Sequence, residues 1–294
     1  MFKILKWLKY PLEKKIFSFF FYTYKIIFIQ IKKKYSRIID LVHFDSDKST
    51  DNKYVETQIG KFLVFSNDGG ISRQLFINKQ YNFKSFQKVI KIIGKQRLLV
   101  DVGANIGPTC IGALNKNYVQ ESIAIEPELD CFKMLQQNIQ LNNLGSRIYT
   151  FNNAVSDKTG ILKITKKNKN SGASYITKKN TEYKLIKSVN LDRFQNKLKK
   201  KTLIWVDVQG YEGRVIEGAK EIIKKNIPFV IEFWPYAINK NLDKDLLIKG
   251  LKRFKYYYDL SGDKKKFLCS EENIKKLFDK YNEKKTTELL LINF

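Results

Sequence analysis

The chain has 294 residues, 43% of them hydrophobic, with 55 Lys plus Arg against 29 Asp plus Glu, a formal net charge of +26. That length suits one large domain or a domain with extensions, and the apolar content suffices for a sizeable core. Cys110, Cys131 and Cys269 are scattered and His43 is the single histidine, which argues against a Cys/His zinc site and suits a reducing compartment. The charge favours anionic neighbours such as nucleic acid, acidic lipid or phosphorylated glycan. Compositional drift toward Lys, Asn, Ile and Phe is the competing explanation and ranks above a specific partner.

Residues 1–52 form a basic, hydrophobic extension and linker. Lys3, Lys6, Lys9, Lys14 and Lys15 precede an apolar stretch from Ile16 to Ile31, broken by Lys25 and closed by Lys32, Lys33 and Lys34. It is apolar nearly all round, yet falls short of the roughly 20 apolar residues that span a bilayer. No small-residue cleavage site follows, which argues against a secretory signal. Three readings stay open: an interfacial segment on an anionic membrane surface through residues 1–35, a helix packed on the protein or a partner, and a spanning anchor. Asp45 to Asn52 is polar throughout and reads as a linker. The location expected is cytoplasmic, with or without membrane association.

Residues 53–97 read as a β-hairpin and a helix. Val55 to Phe65 has strand character, Asn67-Asp68-Gly69-Gly70 is a hairpin turn signal, and Ile71 to Ile77 is the expected return strand. Phe83, Phe86, Val89, Ile90 and Ile93 have helical spacing, and Gly94 ends the pattern.

Residues 98–294 carry the chemistry. Leu98 to Val102 reads as a buried parallel strand entering the turn Gly103-Ala104-Asn105-Ile106-Gly107, with a helix from about Thr109. Gly103 permits a tight turn and Gly107 a close helix. A dinucleotide fingerprint would place glycine at Asn105, which makes NAD a poor fit. S-adenosylmethionine has no pyrophosphate. Asp101 could take its amino group and backbone donors near Gly103 its carboxylate. Ser122 to Glu126 is a second strand ending in an acid, where ribose hydroxyls bind. Ile148 to Phe151 is a third, and Asn153 and Asp157 after it are candidates for the adenine edge. Each site residue has a structural alternative, such as Glu126 complementing a helix dipole.

Between strands three and four, Gly160 to Ile164 reads as a strand, Ser171-Gly172-Ala173-Ser174 as a turn, and Asp192 as a helix N-cap. The segment is basic, with Lys166, Lys167, Lys169, Lys178 and Lys179, and could meet a phosphorylated or acidic substrate. Leu203 to Val206 then runs into Asp207-Val208-Gln209-Gly210-Tyr211-Glu212 and a helix, and Pro228 to Trp234 is a fifth strand containing Glu232. Asp207, Glu212 and Glu232 are the catalytic candidates. A carboxylate at a strand end can take the proton of a hydroxyl acceptor, although Asp207 or Glu212 could instead hold a divalent cation. No metal site is assigned. Phe254 to Leu260 and Glu288 to Phe294 read as the last two strands.

The order of Val100–Gly107, Glu126-Pro127, Asn153–Asp157 with Gly160, Val206–Glu212 with Gly218-Ala219, and Ile231-Glu232 resembles the FkbM family of S-adenosylmethionine-dependent methyltransferases. The resemblance runs from about Val55 to the C-terminus. It implies an α/β, Rossmann-like class I fold: a seven-stranded, mostly parallel sheet with helices on both faces, the last strand antiparallel beside the fifth. It also implies O-methylation of sugars or natural-product hydroxyls. The family often has Glu where Gln209 stands, which puts any acid or metal role of that position in doubt here. The expected acceptor is a glycan or glycolipid. An RNA methyltransferase ranks below it, since no RNA-binding module is recognisable, and a non-catalytic cofactor-binding protein is third.

Overall fold

A computed structural model describes residues 52–81, 83–165, 175–176, 183–241, 243–262, 265–281 and 285–294, with 19–20, 22–31, 34–35, 38–39 and 44 before them. The chain divides into two compact units, Met1–Lys48 and Ser49–Phe294. Within the first, residues 22–31 are helical, and Phe19, Phe20, Tyr22, Tyr24 and Phe28 are exposed. Among the described residues no helix is long and apolar enough to cross a membrane. The linker residues 45–51, the turn expected at 171–174 and Lys166, Lys167, Lys169, Lys178 and Lys179 lie outside the described residues.

The second unit is built on an eight-stranded sheet. Its five parallel strands are β3 (Leu98–Val102), β4 (Glu121–Ile125), β5 (Ile148–Phe151), β10 (Thr202–Val206) and β11 (Phe229–Phe233). The antiparallel strands are β12 (Tyr256–Asp259), β13 (Lys266–Leu268) and β14 (Thr287–Ile292). The spatial order is β13-β12-β14-β11-β10-β3-β4-β5, so β14 inserts antiparallel beside β11. The sheet has one strand more than the seven expected. Lys266–Leu268 is short and partly charged, and only its pairing with β12 makes it a strand.

All five residues of β3 are buried, as a central strand covered on both faces requires. Side chains alternate between faces. Leu98, Val100 and Val102 enter a core with Val215, Ile216 and Leu247, while Trp205 on β10 meets Phe86 on the other face, ring centres 5.3 Å apart. The strand order reverses between β3 and β10, so the crevice at their carboxyl ends is where an open α/β sheet binds its ligand.

Ahead of β3 the structure departs from expectation. The hairpin is β1 (Lys53–Thr57) with β2 (Gly60–Val64), turning at Gln58-Ile59. Ile71–Asn78 is a helix, α1, instead of the return strand. The cause lies in Asp68, whose carboxylate accepts from the amides of Gly70 and Ser72 at 3.0 and 2.9 Å. Those bonds satisfy helix-start donors and override the turn signal. Helix α2, Phe83–Ile93, follows as the spacing predicts.

Two asparagines dock the hairpin. Asn138 and Asn142 lie one turn apart at the end of the helix Leu129–Leu141 (α4). Asn138 accepts from the Leu63 amide at 2.7 Å and donates to the Leu63 and Ile106 carbonyls. Asn142 pairs with both backbone groups of Lys61. The side chains thus complete the free edge of β2 as a neighbouring strand would.

A second, four-stranded sheet has the order β6-β9-β7-β8. It contains β6 (Ala154–Val155), β7 (Gly160–Thr165), β8 (Tyr175–Ile176) and β9 (Lys184–Val189). The 3-10 helix Leu191–Lys197 is capped by Asn190, not Asp192. Asp192 instead accepts from the amides of Glu221 and Ile222, at the start of a different helix, Lys220–Lys224.

Replacing Asn138 by Ala strands the Leu63 amide and the Ile106 carbonyl. Urea unfolding should show a loss of about 2–4 kcal/mol. The half-buried Asn142→Ala should cost less.

Candidate functional site

The site is made where two turns touch. The first follows β3. Gly103 (φ +84) and Gly107 (φ +95) are left-handed, a region open to glycine. A Cβ on Gly103 would fall inside the carbonyl oxygen of Asp207, and one on Gly107 would meet Leu135 and Ile111 at 2.7 and 2.8 Å. Gly107 caps helix α3 (Pro108–Asn115), with Pro108 at its first position. Asn105 is also left-handed, φ 51, a conformation asparagine tolerates. That turns its amide inward to Glu126 Oε2 at 2.8 Å.

Glu126, at the end of β4, receives a second amide from Glu128 at 2.8 Å. Burial pushes its carboxyl up to about 8 against these donors. Asp101 is buried and accepts from the Cys110 amide at 3.1 Å. Burial lifts it to about 7, the Cys110 bonds oppose that, and the charge of Asp207 adds to it. Asn152, which the sequence reading passed over, donates to the carbonyls of Glu126 and Pro127 at 2.9 and 3.0 Å and ties β5 to β4. Its only signal is its place directly after a strand.

The second turn follows β10. Asp207 donates its amide to the Val102 carbonyl at 2.9 Å, carrying the β3–β10 ladder past the strand ends. Its carboxylate accepts from Gln209 Nε2 at 2.8 Å, and the same nitrogen lies 3.0 Å from Glu232 Oε2 on β11. Burial raises both acids, and the charge of Asp207 raises Glu232 further. Glu212 is fully buried and turns back into its own loop, accepting from the amides of Val208 and Gly210 at 3.1 and 3.2 Å. Burial lifts it to about 8.

Asp101, Asn105 and Glu126 therefore come together, as do Asp207, Glu212 and Glu232. Asn153 and Asp157 take other partners. Asn153 donates to the Lys187 carbonyl at 3.3 Å. Asp157 accepts from the Ser156 hydroxyl at 2.7 Å and meets Arg214 at 3.5 Å. Burial would raise Asp157, but Ser156, its own amide and Arg214 hold it below the usual range. Tyr81, before α2, was not singled out from the sequence. It lies within the fields of Asp207, Glu232 and Glu288, and burial followed by those charges holds its phenol well above its usual value. Ser85 on α2 donates to Glu288 at 3.0 Å, bringing the start of that helix to the same end of the sheet.

This donor set fits S-adenosylmethionine. Beside the turn that Gly103 and Gly107 keep tight, Glu126 offers two carboxyl oxygens to a diol and Asp101 offers acid to a cationic ligand. Fold and site together define a Rossmann-like methyltransferase. The FkbM methyltransferase domain matches residues 101–253, just over half of the chain, and the chain belongs to that family of S-adenosylmethionine-dependent methyltransferases.

Among solved structures, the chain is similar to the methyltransferase FkbM of Methylobacillus flagellatus KT, at 19% identity and a TM-score of 0.42 over 67% of this chain and 43% of that one. It is similar to the tRNA m1G37 methyltransferase of M. jannaschii at 14% identity and 0.41, over 84% and 56%. A protein of the NADB-Rossmann superfamily from Streptococcus agalactiae matches at 15% and 0.39, over 73% and 69%. The chain thus spans about half the length of the first two. No curated protein matches its sequence.

Gly103→Ala should abolish calorimetric binding of S-adenosylmethionine and lower the unfolding midpoint. Gly94→Ala is the control, since Gly94 shares a positive φ of +76 with nothing within 4 Å. Glu212 gives a pH test. The folded chain holds a proton up to about 8 that the unfolded chain releases near 4.3. Its contribution to stability is therefore full below about 4.3 and lost as pH rises through about 8. Glu212→Gln should flatten the fall in unfolding midpoint across that window, and an unchanged slope would refute this.

Proposed function

We propose that this methyltransferase acts on a hydroxyl group of a sugar, glycan or glycolipid. The observation that carries this reading is the buried Asp207–Glu232 pair beside the Gly103 turn. In it Asp101 and Glu126 hold the donor's amino group and ribose, and S-adenosylmethionine supplies an electrophilic methyl group when bound. Asp207 takes the acceptor hydroxyl's proton as the methyl group passes to that oxygen, its bond to the donor's sulfur breaking so that the donor leaves as a neutral thioether. Gly103 sets Asp207 against the donor turn, so that positioning does much of the work. Glu212 holds the turn that presents Asp207.

The local charge supports a neutral acceptor. Asp101, Asp207, Glu212, Glu232 and Glu288 converge on this end of the sheet, and although burial keeps protons on several of them, the charge left on the Asp207–Glu232 pair would meet a phosphate-rich acceptor as like charge. The overall charge of +26 favours the second reading, an RNA acceptor. We also propose that residues 1–35 rest on an anionic membrane. The exposed aromatic side chains between Phe19 and Phe28 and the lysines flanking them in the sequence support that placement, which would bring the site to a lipid-linked acceptor.

Labelled methyl transfer into extracted glycolipid and into total RNA tests the acceptor. Label in glycolipid is expected, and label only in RNA overturns it. Asp207→Asn should lower transfer by about 10²–10⁴-fold while calorimetric binding of S-adenosylmethionine persists. The full chain should float with vesicles of phosphatidylglycerol and phosphatidylcholine, and a chain lacking residues 1–44 should not. Equal flotation would refute the membrane contact.

A further inference from the structure

Gln209 is held so firmly that its side chain has one place to go. Its backbone is left-handed, φ 56, and Gly210 follows at φ 88. Its carbonyl accepts from Asn241 Nδ2 at 2.9 Å. The amide nitrogen then stands 2.8 Å from Asp207 Oδ1 and 3.0 Å from Glu232 Oε2. An amide nitrogen carries two hydrogens, one for each carboxyl. The two acids lie at the ends of neighbouring parallel strands, where two full negative charges would repel.

We infer that Gln209 is a positioning residue that clamps Asp207 and Glu232 into a pair sharing one proton and one charge, ready to take the proton of an acceptor hydroxyl. That last clause rests on the proposed function. The clamp itself does not.

The surroundings favour this arrangement. Asp101 faces the pair from β3, Glu212 from the helix after the turn, Glu288 from β14 and Tyr81 from the segment before α2. Burial and the Asp207 charge favour keeping a proton on Glu232, Glu288 adds to that, and none of the four neighbours brings a positive charge against the pair. Gln209 works the other way, because its hydrogen bond to Asp207 favours the ionised form. One proton stays and one charge is stabilised. A glutamate at this position would put a third carboxyl between the first two and remove both donated bonds.

The test follows the proton. In the full-length protein, the infrared band of the protonated carboxyl is identified by its loss in Glu232→Gln and titrated against pH. In Gln209→Leu and Gln209→Asn the midpoint should rise by about one unit, and in Gln209→Glu by more. The Asn variant suits the left-handed backbone but is one methylene too short to bridge, so it tests the clamp even where Leu fails to fold. An unchanged midpoint in a folded Asn or Leu variant overturns the inference. With labelled glycolipid extract as acceptor, the acid limb of kcat, set by uptake of a second proton on the pair, should also shift upward while the KM for S-adenosylmethionine stays within twofold. If the midpoint shifts but Asp207→Asn still transfers methyl groups, the clamp stands and the proposed base falls.

Discussion

The contact between Gly103 and Asp207 is the constraint on which the site depends. The turn after β3 and the turn after β10 meet backbone to backbone, and the Asp207 carbonyl occupies the place a side chain at 103 would need. The ladder continues across the junction, with the Asp207 amide bonded to Val102 and the Gly103 amide bonded to the Ile125 carbonyl at 2.9 Å. The ends of β10, β3 and β4 are therefore locked in register. A donor bound on the first turn and an acid carried by the second have a fixed relation before any ligand arrives. Such preorganisation lets a methyl transfer depend on placement.

The second feature is how the chain tolerates so much buried acid. Asp101, Glu126 and Glu212 all have carboxyls raised by burial, and each is met by backbone amides instead of lysine or arginine. Left-handed residues aim those amides: Asn105 turns its own toward Glu126, and the Gln209-Gly210 step brings two to Glu212. The strained turns thus supply hydrogen bonds without adding positive charge.

Much of the catalytic domain was legible because its signals are local. A buried apolar run followed by glycines, or by an acid at a strand end, is a contiguous pattern, and β3, β4, β10 and β11 fall where such runs predict. The failures are equally physical. Asn67 to Gly70 has hairpin composition, but Asp68 bonded forward to Gly70 and Ser72 and a helix began. Asp192 has the character of an N-cap, but its carboxylate takes the first amides of a distant helix, the one beginning at Lys220. β9 and β13 are lysine-bearing, β13 is short as well, and only their partners make them strands.

The sequence by itself determined the class: strands ending in Asp101, Glu126 and Glu232, a glycine turn with Asn105 where a dinucleotide site needs glycine, and the acid-bearing turn Asp207 to Glu212. These depend on residue type and spacing along one strand. Only the tertiary structure decided which acids face one another. Gln209 reaches Glu232 across 23 positions of sequence, Asn138 reaches Leu63 across 75, and Glu212 turns into its own loop. The reason is that a side chain's partner depends on which strands are neighbours and on the sign of φ in the turn. Spacing along one segment carries neither.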